Sequence, residues 1–425
     1  MDETWTEDLL GPPFRSLTLP LEPDDEGPRV ATLVSYEPEN QDEDERAGQR
    51  PPERAVLYLH GFSDYFLQAH VAAELHQRGW AFFALDLHKH GRSLLPGQTP
   101  GFVTSLDDYD ADLERGLAAV RHRLASRPGG SAQAPTPGTP DRIEVVLMAH
   151  STGGLTAALW AARNPGRVAG LVLNSPWLDT QGSALLRSAA QGILDTVSRR
   201  RPKARLRLPE LGFYFRSLSD TRDGEWLINP VWRPESGFPI RAGWLAAVLA
   251  GHAALARGVS VDAPVLVLCS TASTISPTWS EEMLRTDSVL DVSAMVRRAA
   301  ELGGDVTIRR VWGALHDVFL SRSEARREAM DALIRWLDAH FPSAEPPTRA
   351  LALDAEAGSA RDIEARDIEA GGATRGAGPP GPKGGAGPGG PATGPLLPRT
   401  AGPALRTPRS PATASGDRHR ATGCP

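Results

Sequence analysis

Val145-Val146-Leu147-Met148-Ala149-His150-Ser151-Thr152-Gly153-Gly154-Leu155 passes from an unbroken apolar run into a serine and straight on into a segment with helical spacing. That order dictates a buried strand, a one-residue corner and a helix. At such a corner the serine hydroxyl is lifted above the sheet edge, and the backbone two residues before and two after it passes close to its neighbours, so small residues are required there. Ala149 and Gly153 meet that demand. Glycine is the commoner residue at the first place, and alanine adds one methyl group. An ordinary helix N-cap would also put a serine here, but it would not account for the strand ahead of it or the two small residues around it.

Outward from this corner, short apolar runs alternate with longer segments whose apolar residues recur three and four apart. Residues 55–59, 80–85, 143–149 and 168–173 are the runs, and 66–78, 106–124 and 152–163 are the helical segments. Repetition of this unit predicts the α/β class, with a mostly parallel, doubly wound sheet. Segments 14–20 and 30–36 flank Asp24-Asp25-Glu26-Gly27 as the arms of a hairpin. The folded domain is therefore expected over residues 13–341, with 1–12 as an N-terminal extension. After residue 173 the alternation lapses for about 85 residues and resumes at 265–268, 306–311 and a helix at 323–340. The lapse, about residues 176–260, predicts a helical cap with helices at 184–197 and 244–256. It gathers Phe213, Tyr214, Phe215, Trp226, Trp232, Phe238 and Trp244, most of them expected to pack on one another.

Of the 425 residues, 42 are glycine and 37 proline, and 25 of these fall in the last 55 positions. No aromatic residue follows Phe341, so residues 342–425 are expected to be a disordered tail. Residues 126–141 form a second, shorter low-complexity stretch. Charge is uneven: residues 1–50 hold fourteen acids against four arginines, and residues 371–425 hold seven basic residues against one acid. The basic tail lacks the interleaved aromatics of a nucleic-acid surface, which argues against a nucleic-acid partner. Two cysteines, Cys269 and Cys424, make neither a disulfide framework nor a metal-ligand spacing. With no basic stretch leading into an apolar run at the N-terminus, a cytoplasmic protein is the expectation.

A serine nucleophile needs amide donors where negative charge develops and a base to take its proton. Thr152, first in the helix, supplies one amide. Leu57-Tyr58-Leu59-His60-Gly61-Phe62-Ser63-Asp64 ends an earlier strand and supplies the other from Phe62, with His60 shaping the loop. With a corner of this kind the base comes last, on a loop after the final strand, and His316 occupies that place. His252 and His340 lie within helical segments and His419 in the tail.

Taken in order, His60-Gly61-Phe62, Asp86-Leu87-His88-Lys89-His90-Gly91-Arg92-Ser93, Ala149-His150-Ser151-Thr152-Gly153 and Gly313-Ala314-Leu315-His316 resemble the α/β-hydrolase family. Asn174-Ser175-Pro176 followed by a helical insert resembles its monoacylglycerol lipase, lysophospholipase and serine aminopeptidase-like branch. The resemblance implies a triad of Ser151, an aspartate and His316, oxyanion donors at Phe62 and Thr152, no cofactor or metal, and an acyl ester as the small-molecule substrate. The family places its acid just after the strand that here ends at Cys269, but this chain reads Ser270-Thr271-Ala272-Ser273 there. Thr286-Asp287-Ser288-Val289-Leu290-Asp291-Val292 resembles the missing acid loop, as though residues 271–285 were inserted. Asp287 takes the acid's place, Asp291 the neighbouring one, and Asp179 is a third candidate.

Esters are the expected substrates. A peptidase or amidase on the same triad, and a catalytically silent binding protein, are the alternatives. The basic stretch at 199–207 in the cap would suit transient contact with an anionic membrane surface.

Overall fold

A computed structural model of the chain describes residues 4–38, 54–126, 143–179, 194, 196–207 and 211–342. The low-complexity stretch at 126–141, most of the cap helix expected at 184–197 and the tail lie almost wholly outside these residues.

Nine strands make one sheet: β1 (Thr6–Glu7), β2 (Phe14–Asp24), β3 (Gly27–Tyr36), β4 (Arg54–Leu59), β5 (Ala81–Asp86), β6 (Glu144–His150), β7 (Gly170–Asn174), β8 (Val265–Ser270) and β9 (Val306–Val311), in the order β1-β2-β3-β5-β4-β6-β7-β8-β9. From β5 to β9 all pairs are parallel, and β1, β2 and β3 are antiparallel. The central strands read as unbroken apolar runs because helices cover both faces. Ala55, Leu57 and Leu59 of β4 point into one core with Leu113, Leu117 and Leu155, whereas Val56 and Tyr58 point into the other with Val71, Leu75 and Leu333. The covering helices are α1 (Ala69–Gln77) and α7 (Ser323–His340) on the second face, and α2 (Asp110–Ala125) and α3 (Thr152–Arg163) on the first. In the edge strand β9, Arg309 and Arg310 are exposed, a charged rim that discourages further strand pairing.

Between β7 and β8 stand α4 (Phe213–Leu218) and α5 (Ala242–Ala256), and α6 (Val292–Ala299) follows β8. Lys203 of the cap bonds Asp25 and Glu26 at the hairpin tip (2.6 and 2.9 Å), and buried Lys89 bonds Asp24 and Glu26 (2.6 and 2.8 Å). One cation of the basic stretch is thus committed to the hairpin.

The stretch before residue 13, read from sequence as an extension, is tied to the sheet through β1 and through Asp8. Arg92 donates to both oxygens of Asp8 at 2.6 and 2.8 Å and to Asp86 at 2.9 Å, with all three side chains buried. Without Asp8, Arg92 keeps Asp86 but loses two charge-assisted hydrogen bonds in a buried setting. Asp8→Ala is expected to cost about 2 kcal/mol, read from chemical denaturation; a loss under about 0.5 kcal/mol, the size of an ordinary surface change, would show that this segment does not anchor the domain.

Candidate active site

The parallel strands end on one side of the sheet, where loops carrying chemistry meet. Ser151 is the corner between β6 and α3, with φ +54° and ψ −118°, a conformation that L residues avoid. It is fixed by its own N–H donating to the Asn174 carbonyl (3.0 Å) and by its carbonyl accepting from Gly154 and Trp177 (3.0 Å each). A Cβ at Gly153 would lie 2.1 Å from the His60 carbonyl oxygen, and one at Gly61 would lie 3.0 Å from Ser151 Cβ. The small residue at 153 is therefore a steric necessity, while the methyl of Ala149 is accommodated, fully buried, between Leu59 and Leu173.

His316, on the turn after β9, places Nε2 2.9 Å from Ser151 Oγ and Nδ1 2.8 Å from Asp287 Oδ2. A carboxylate only accepts, so Nδ1 carries the proton and Nε2 is left to accept from the hydroxyl. Asp287 is completely buried, and its Oδ1 accepts from the amides of Val289 and Leu290 at 2.8 Å each. The chain between them and β8 makes an excursion that closes on itself. Thr274 N donates to the Asp287 carbonyl (2.9 Å), Asp287 N to that of Ala272 (3.0 Å), and the Thr286 and Thr274 hydroxyls meet at 2.8 Å. The loop thus returns Asp287 to the end of β8. Asp291 instead caps α6, accepting from Ser293 and Ala294 N–H, and Asp179 lies 3.8 Å from Arg298.

Thr152 heads α3, where the first amide has no intrahelical acceptor. Phe62 follows Gly61 on the loop after β4, and among the described residues its N–H has no backbone acceptor. Between them lies a cavity of about 10 Å³, room for one water, bounded by His90, Tyr109, Thr156 and Trp244. The Phe62 ring stacks on Trp244 of the cap at 3.9 Å, and the two form part of the cavity wall. His60 is a loop-shaping residue: its Nε2 accepts from Leu87 N at 3.0 Å.

Two polar networks were not anticipated. Asn174, whose carbonyl holds Ser151, donates from its side chain to Asp317 (2.7 Å) and accepts from Val318 N (3.1 Å), and Gln68 also bonds Asp317 (2.8 Å). This stitches the serine corner to the histidine turn. The other joins Asp64 to Arg233 of the cap at 2.9 Å. Burial depresses His150, 4.8 Å from His316 ring to ring, and raises the Cys269 thiol to about 12. A neutral imidazole and an inert thiol result. Among the described residues no group of three or more His, Cys, Asp or Glu could hold a metal ion, and no helix is long and apolar enough to cross a membrane.

The family model described as serine aminopeptidase, S33 matches residues 50–321. A soluble variant of monoglyceride lipase from Saccharomyces cerevisiae is similar in structure, with 15% identity, 76% of this chain and 95% of that one covered, and a TM-score of 0.51. Paleococcus ferrophilus monoacylglycerol lipase is similar at 21% identity, covering 68% and 96%, with a TM-score of 0.47. An esterase from Thermogutta terrifontis aligns at 16% identity over 76% and 98%, with a TM-score of 0.45. A search of curated proteins finds no match. With the family model covering more than half of its length, and a mixed sheet carrying the serine at a strand-to-helix corner, the chain belongs to the serine aminopeptidase S33 family of α/β-hydrolases.

Proposed function

We propose that the chain hydrolyses carboxylic esters through an acyl-enzyme on Ser151. The relay Asp287–His316–Ser151, at 2.8 and 2.9 Å, carries the reading. His316 Nε2 takes the hydroxyl proton as Oγ attacks the ester carbonyl, and Asp287 stabilises the imidazolium that forms. The amides of Phe62 and Thr152 face the developing oxyanion. Collapse of the intermediate breaks the bond to the alcohol, which leaves with the proton from His316. Water then attacks the acyl group, giving its proton to His316 and releasing acid and free serine.

An ester is favoured over a peptide with a free amino terminus by the charge of the cap. Among the described cap residues no carboxylate is buried beside the relay to receive an ammonium group, and the buried charged side chain there is Arg233, already paired with Asp64. Monoacylglycerols, lysophospholipids and small acyl esters are the classes proposed. The stack of Phe62 on Trp244 must part to admit them. A cytoplasmic setting, and surface contact through the basic residues of 199–207, belong to the same proposal.

The test is a panel of p-nitrophenyl esters of increasing chain length, a monoacylglycerol and an aminoacyl anilide. Ester turnover exceeding that of the anilide by at least about 100-fold, or ~2.7 kcal/mol in transition-state binding, is expected. Preference for the anilide would establish the peptidase reading instead.

A further inference from the structure

Arg233 is a buried arginine on an inserted segment, 5% exposed, whose charge the hydrolytic steps do not use. Its Nη1 meets Asp64 Oδ1 at 2.9 Å, as an ion pair off hydrogen-bonding angles, with side chains 6% and 2% exposed. Asp64 lies two residues beyond Phe62, and its other oxygen faces Gly61 N at 3.4 Å. The guanidinium also lies 4.9 Å from the Tyr214 ring, and Tyr214 stands edge-on to His316 at 5.2 Å. The cap segment around Arg233 is pinned to both catalytic loops. Phe238 N donates to Ser63 Oγ (2.9 Å), Asn229 N to the Tyr65 hydroxyl (2.9 Å) and Trp226 Nε1 to the Leu320 carbonyl (2.7 Å).

Resting on the hydrolase reading above, we propose that Arg233 is a positioning residue, which neutralises the buried carboxylates around His316 and holds the Phe62 loop, so that the relay is competent only with the cap seated. The charge inventory around His316 bears this out. Asp287 faces it from the loop after β8, Asp317 adjoins it on its own turn, His150 comes from β6, Asp64 from the loop after β4, and Tyr58 from β4. Tyr214 and Arg233 come from the cap. His150 is kept neutral by burial, and both tyrosines stay protonated, since burial raises them well above their ordinary value. Burial, the largest influence on Asp64, would raise it too, but Arg233, followed by His150, His60 and a backbone hydrogen bond at Tyr65, together hold the carboxyl below its usual range. Against Asp64 and Asp317, Arg233 is therefore the balancing cation.

Without that cation, Asp64 either stays charged and stabilises the imidazolium or takes up a proton itself. The first stabilises the protonated, unreactive form of the relay and the second adds an ionisation, so either moves the acid limb of the rate profile upward. The experiment is the pH dependence of labelling by a fluorophosphonate, which requires an activated serine but no particular ester. Arg233→Gln is expected to label about 10–100-fold more slowly, the cost of a misplaced loop, and to move the acid limb up by about one pH unit. Arg233→Lys, keeping the charge, restores the limb. Should Arg233→Gln fail to fold, the neutral pair Arg233→Gln/Asp64→Asn removes both charges, and slow labelling with a near-normal limb is expected. A wild type that labels, with an unmoved limb in Arg233→Gln or full-rate labelling in the neutral pair, overturns this role alone. A wild type that does not label overturns the nucleophile reading and this role with it.

Discussion

Asp287→Asn is expected to lower turnover about four orders of magnitude, the usual consequence of losing a triad carboxylate. The amide that replaces Oδ2 can present a donor to Nδ1, which favours the tautomer with its proton on Nε2, pointing at Ser151 Oγ. The nucleophile then has no acceptor for its proton. The backbone of the loop is spared, because Oδ1 can keep the amides of Val289 and Leu290. Asp291→Asn should remain within about a factor of two, since asparagine caps a helix as well as aspartate does. Asp179→Asn should do the same, its carboxylate lying 3.8 Å from Arg298 and away from the relay. Steady-state kcat/KM on the best ester of the panel separates the three. Near-normal turnover in Asp287→Asn, with a dead Asp291 or Asp179 variant, would reassign the acid.

At Ser151 the expected effects on activity and on stability separate. Ser151→Ala and Ser151→Gly both remove the nucleophile, and turnover should fall by about 10⁴-fold or more in each. Alanine inherits the φ of +54° and ψ of −118°, so its stability should match that of wild type. Glycine reaches that region without strain, and Ser151→Gly should gain about 1 kcal/mol, or a few degrees in melting temperature. Equal melting temperatures for the two variants would show that the corner stores no strain.

The corner and the sheet were legible because their signals are local. Apolar runs ending in Ser151, and small residues at 149 and 153, report a strand, a turn and a close approach that the neighbouring residues alone decide. His316 was legible from its order in the chain. The place of Asp287 was not: only the likeness of residues 286–292 to a family loop pointed there, and what returns it to β8 is the pairing of Ser273 with Asp287 across the excursion. Helix α6 could have been read from Asp291 followed by Val292, Met295, Val296 and Ala299, a cap before a helical apolar face. Asp8 with Arg92, and Asp64 with Arg233, are pairings across long stretches of chain, on which local patterns are silent.

The central claim is that Ser151 is an activated nucleophile. Its most direct test is to map the fluorophosphonate adduct on the wild-type protein by tandem mass spectrometry at neutral pH. Trypsin releases Ser151 in the peptide spanning residues 143–163, cut after Arg142 and Arg163. The account predicts a single adduct, on Ser151 of that peptide, which vanishes in His316→Ala; an adduct on another residue, or none while the protein hydrolyses esters, would contradict it.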